Sequence, residues 1–103
     1  MASISKTYKH SIDELFNASI DALKSIGFNI TEKNDKSIKA FSGVSIWSWG
    51  EHIQVEFSST PEGTKVKAFS SAKAQLFDWG KSEENVSKFF AALEKQFRQN
   101  RVQ

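Results

Sequence analysis

Cysteine is missing from all 103 positions, proline and methionine occur once each, and the five glycines are scattered. The missing thiol excludes disulfide frameworks, thiolate zinc sites, cysteine nucleophiles and lipid attachment through cysteine. Gly27, Gly43, Gly50, Gly63 and Gly80 never fall at G-x-G-x-x-G or phosphate-loop spacing, which leaves no support for the familiar nucleotide cradles. Long apolar runs are lacking as well. The opening Met1-Ala2-Ser3-Ile4-Ser5-Lys6 has no signal-peptide core, and no stretch reaches the length that spans a bilayer, so a cytoplasmic protein without membrane attachment is expected. An excess of one charge is also absent: fourteen basic against twelve acidic residues leave +2, too mild to demand a polyanionic partner.

What the chain does have is large apolar side chains. Hydrophobic residues make up 39%, with nine Phe and three Trp. At this length folding buries roughly 65% of the unfolded surface. A single α+β domain over 1–103, closed by its own core, is the expectation.

Ile4 and Tyr8 alternate with polar neighbours in Ser3 to Lys9, the pattern of a short half-buried strand. Ser11-Ile12-Asp13-Glu14 has the S-x-x-E form of a capping box, and Ile12, Leu15, Phe16, Leu23 and Ile26 then share one helical face up to Gly27. Phe28 and Ile30 open a second strand, Asn34-Asp35-Lys36 reads as a turn, and Ile38, Ala40, Val44 and Ile46 alternate along a third. After a break near Gly50, Ile53, Val55 and Phe57 alternate again, Thr60-Pro61-Glu62-Gly63 is a turn, and Val66, Ala68, Ser70 and Ala72 line a fifth strand. Ser82 is a candidate N-cap for a second helix with the apolar stripe Val86, Phe89, Phe90, Leu93 and Phe97. The order is β-α-β-β-β-β-α, and the economical arrangement is one antiparallel sheet with both helices packed on one face.

That order, the Gly27-Phe28 helix-to-strand junction within Leu23 to Ile30, and Asp78-Trp79-Gly80-Lys81 leading into Asn85-Val86 resemble small bacterial helix-grip domains. Examples are the BamC-type lipoprotein domains and uncharacterised relatives. The resemblance spans nearly the whole chain and implies a helix-grip-like fold used as an interaction or assembly module. It brings no catalytic residue, and the lipoproteins' membrane attachment does not carry over without a cysteine to lipidate.

No constellation for catalysis or metal binding can be assembled. His10 and His52 are the only histidines, and the strand alternation turns Glu51 inward while His52 faces solvent, so the two cannot act as base and orienter. No cofactor is implied and no enzyme activity is expected. The aromatic residues say more. The parity that points Ala40, Ser42, Ala68, Ser70 and Ala72 toward the helices turns Phe41, Phe69 and, if the strand continues, Trp47 and Trp49 onto the face that no helix covers. Converging exposed rings form a patch that monomers usually hide against a partner, and Trp is enriched at binding hot spots. The competing reading, equally compatible with the pattern, folds Trp47 and Trp49 over a sheet edge to close the core, with a bulge at Gly43. Trp79 is read as packing where the chain enters the second helix.

The functional expectation is therefore a non-catalytic module whose open face, at Phe41, Trp47, Trp49 and Phe69, contacts a protein partner or a second copy. The alternative is a carrier of a small apolar ligand between sheet and helices, where small inward strand residues leave space that large helix residues can also fill. Single-stranded nucleic acid ranks third: Lys65, Lys67 and Lys73 alternate with Phe69, but His52, Gln54 and Glu56 on the neighbouring strand dilute the cations. On the second helix Glu84 to Lys88 and Glu94 to Arg98 stand at i,i+4 spacing and read as a solvated face.

Overall fold

The structure, a computed structural model, describes residues 2–42, 51–72 and 81–101, with side chains over 3–42, 51–70 and 84–98. In chain order the elements are β1 (Ala2–Tyr8), α1 (Ile12–Ser25), β2 (Asn29–Asn34), β3 (Ser37–Ser42), β4 (Glu51–Thr60), β5 (Gly63–Ala72) and α2 (Lys81–Arg101). All three tryptophans, and with them the expected positions of Trp47 and Trp49, lie outside the described residues, as do Gly43, Val44 and Ile46.

The five strands form one antiparallel sheet in the order β1-β5-β4-β3-β2. Three successive hairpins build β2 to β5, and β1 closes on β5, with Ile4 opposite Ala68. Both helices pack on the same side of this sheet and against each other. The expected α+β helix-grip arrangement is therefore the observed one.

Local chemistry explains where the elements begin and end. The Ser11 hydroxyl accepts from the Glu14 amide at 3.1 Å while the Glu14 carboxylate accepts from the Ser11 amide at 3.2 Å, the reciprocal pairing of a capping box. Those bonds, first the one from the Ser11 backbone, hold the Glu14 carboxyl below its ordinary range. At the other end of α1 the Phe28 amide donates to Leu23 O at 2.9 Å and the Gly27 amide to Lys24 O at 3.1 Å. This is a Schellman motif, with Gly27 at φ +92° and buried Leu23 and Phe28 supplying its hydrophobic contact. The helix α2 begins at Lys81, so Ser82, expected to cap it, lies inside its first turn.

The turn between β4 and β5 fixes β1. Gly63 has φ +143°, and a Cβ there would collide with the Tyr8 carbonyl. Glycine thus admits the turn against the end of β1, where the Thr64 hydroxyl also donates to His10 O at 2.7 Å.

Inward side chains of β3, β4 and β5 meet the apolar stripes of both helices. Ile38, Ile53, Val55, Val66 and Ala68 are sealed against Leu15, Ala22, Leu23, Val86, Phe89, Phe90 and Leu93. Phe89 and Phe90 meet edge to face, 5.1 Å between ring centres, and Phe16 stands 5.7 Å from Phe57. The sheet's edges are protected from pairing with other chains. On β2 a register shift between Ile30 and Glu32 breaks the ladder. On β1 the inward row carries a cation, Lys6, opposite Val66.

Candidate binding surface on the open sheet face

Alternation along β3, β4 and β5 turns a second set of side chains away from the helices: Lys39 and Phe41, then His52, Gln54 and Glu56, then Lys65, Lys67 and Phe69. Register brings them into rows. Phe41 lies opposite His52, while Lys39, Gln54 and Phe69 run across three strands. Phe41 and Phe69 are both partly exposed, and the described helices sit on the other side of the sheet.

The Phe41 and His52 rings stand 4.7 Å apart and tilted by 51°. Beside them a groove of about 380 Å³ is bounded by Thr31, Lys39, His52, Gln54 and Phe69. A neighbouring groove of about 440 Å³ is lined by Ser37, Glu56, Ser58, Lys65 and Lys67. Within this face Lys39 pairs with Glu32 at 3.2 Å, Gln54 donates to Glu56 at 3.2 Å, and the Lys67 ammonium lies 5.8 Å from the centre of the Phe69 ring. The surface thus combines rings, a side-chain amide, cations and the carboxylates of Glu32 and Glu56.

Of the four residues singled out from the sequence, Phe41 and Phe69 occur together on the open face, on the two strands flanking β4. Sequence reasoning treated His52 and Gln54 only as solvated or diluting residues. Their parity was readable, but their position between the two phenylalanines depends on strand register, which a single strand's pattern does not carry.

Two polar features lie on the helix side. Glu51, as expected, turns inward: it is 7% exposed and accepts a 2.8 Å hydrogen bond from the amide of Asn85, itself 8% exposed. Glu94, expected to face solvent with Arg98, instead reaches β1. Its carboxylate accepts from the Tyr8 hydroxyl at 2.8 Å and pairs with Lys6 at 3.2 Å. The bond from Tyr8 first, then Lys6, draws the Glu94 carboxyl below its ordinary range, while burial first and then Glu94 push the Tyr8 phenol well above its own. The expected Glu84–Lys88 pair is present at 2.9 Å. Among the described residues no three metal-ligating side chains converge, and no helix is long and apolar enough to cross a membrane.

No protein-family model and no curated protein matches the chain. Solved structures do. The chain is similar to the protein MLL2253 from Mesorhizobium loti, with a TM-score of 0.69 at 11% identity over 95% of this chain and 96% of that one. It is similar to Ara h 8.0201, with a TM-score of 0.55 at 12% identity over 92% and 95%. A third likeness is to SA2116 from Staphylococcus aureus, a protein of unknown function, with a TM-score of 0.51 at 16% identity over 94% of each chain. At these identities the likeness is one of fold, an antiparallel sheet with helices packed on it in a helix-grip arrangement.

Proposed function

We propose that the protein is a small non-catalytic binding or assembly module that contacts a protein partner, or a second copy of itself, through the open face of its sheet. The carrying observation is the placement of Phe41 and Phe69, partly exposed on either side of β4 and away from the helices. Phe16, Phe28, Phe57, Phe89, Phe90 and Phe97 all belong to the core or pack against it. Trp47 and Trp49 join the contact surface on the strength of the sequence pattern. Under this reading the protein works in the cytoplasm and carries no catalytic residues. It groups with the BamC-type and related bacterial helix-grip domains, supported by the Gly27-Phe28 and Asp78-Trp79-Gly80-Lys81 segments.

The test is molar mass over a dilution series, with a pull-down from native extract, for the wild type beside a Phe41→Ser, Phe69→Ser variant. Loss of association or of a partner in a variant that still folds is the expected result. A folded variant with unchanged mass and unchanged partners removes the reading.

A carrier of a small apolar ligand is the second reading. It draws support from the helix-grip fold and the small inward side chains of Ala40, Ala68 and Ser70. The complete burial of Leu15, Leu23, Val55, Phe89 and Leu93 counts against an open cavity among them. Native mass spectrometry of freshly isolated protein decides, because a carried ligand adds a discrete mass.

A further inference from the structure

On β5 the outward residues Lys65, Lys67 and Phe69 follow one another at two-residue spacing, about 7 Å between successive side chains. Among the described lysines, Lys6 pairs with Glu94, Lys39 with Glu32 and Lys88 with Glu84. Lys65 and Lys67 have no ion pair among the described residues. Glu56 is the carboxylate opposite Lys67, and it accepts from Gln54. The two ammonium groups border one groove, and Phe69 borders the next, beside Gln54. Along one strand the surface therefore reads cation, cation, ring.

Resting on the open-face reading, we propose that the occupant is an extended acidic segment of a partner protein, with an apolar ring and two carboxylates at alternate positions. An extended chain laid over β5 presents alternate side chains at the same spacing of about 7 Å. Its ring enters the groove between Phe69, Gln54 and His52, and its carboxylates reach Lys67 and Lys65. Charge complementarity of this kind sets orientation and partner choice. A nucleic-acid strand suits the surface less well. Glu32 and Glu56 interrupt the cations, Glu32 already holds Lys39, and His52 leans against the Phe41 ring on which a base would stack. A continuous run of phosphates crossing the face meets both carboxylates, whereas two acids laid along β5 meet Glu56 alone.

The probe is a fluorescein-labelled peptide, Ser-Trp-Ser-Glu-Ser-Glu-Ser, with its reversed sequence, its counterpart with Gln for Glu, and an oligothymidylate of similar length, titrated by anisotropy. The acidic peptide in one of its two directions is expected to bind about tenfold more tightly than the Gln counterpart, since two exposed ion pairs are at stake. Lys65→Gln and Lys67→Gln each weaken it about two- to fivefold. Phe69→Ser removes measurable binding, while Lys24→Gln, on the far side of the molecule, changes nothing. No binding of either acidic peptide, equal binding of the Gln counterpart, indifference to both β5 lysine substitutions, or tighter binding of the oligothymidylate overturns the assignment. Pull-down of the native partner separates the two levels of the claim. A partner lost by Phe69→Ser but kept by the lysine variants sinks the acidic segment and leaves the open face standing; a partner kept by all of them sinks both.

Discussion

The two sides of β3, β4 and β5 are built from interleaved residues of the same strands, yet they differ in kind. The inner row, with Ile38, Ile53, Val55, Val66 and Ala68, is closed to solvent by the helices. The outer row sets Lys39, His52, Gln54, Glu56, Lys65 and Lys67 beside two partly exposed rings. Packing accounts for every large side chain on the inside. On the outside, among the described residues, neither helix reaches Phe41 or Phe69, and the two rings stand partly exposed among polar and charged neighbours. That difference separates the side chains that hold the fold together from those on which the proposed contact rests.

Substitutions can break or sharpen this contrast. The largest effect belongs to the inner side: Phe89→Ala empties a fully buried site and is expected to cost about 3–5 kcal/mol, read from the denaturant midpoint. Next is Gly63→Ala, expected to cost roughly 2–3 kcal/mol, because it combines an unfavourable positive φ with a clash against the Tyr8 carbonyl. A comparable loss on Gly27→Ala, where nothing lies near the added Cβ, would show that φ alone is responsible.

The Tyr8–Glu94–Lys6 cluster ranks third. Glu94 is partly exposed, so Tyr8→Phe is expected to cost only about 1 kcal/mol. Its pH signature has two arms. The lowered Glu94 carboxyl contributes stability above the unfolded value of about 4.3, and that contribution fades as pH falls through the folded value. The raised Tyr8 phenol contributes below its unfolded value of about 10, and that part fades as pH rises toward the folded value. Thermal melts of wild type and Tyr8→Phe should converge at both extremes and differ most between them.

The smallest stability effect belongs to the outer side. Phe41→Ser and Phe69→Ser are each expected to change stability by no more than about 1 kcal/mol while acting on association. A loss as large as that of Phe89→Ala would make the outer rings part of the scaffold and erase the contrast.

Much of the fold was legible because its signals are local. Ser11 and Glu14 stand three residues apart, Gly27 immediately follows the C-cap of α1, and the parity of each strand is written in neighbouring residues. The helix-grip order followed from counting those elements. Of the candidate surface, the outward direction of Phe41 and Phe69 was legible for the same reason. Their setting was not, since Gln54 falls between Lys39 and Phe69 only through two strand registers. Glu94 misled because its spacing to Arg98 is a valid helix pairing, and a tyrosine and a lysine from the first strand supplied stronger partners.

The sequence by itself determined which residues turn inward and where α1 starts and stops, since these depend on interactions spanning a few residues. Tertiary structure alone decided that β1 closes on β5, that Gly63 faces the Tyr8 carbonyl, that Asn85 meets Glu51, and that Gln54 stands between Lys39 and Phe69. Those contacts join residues far apart in the chain, and only the pairing order and register of the strands fix them.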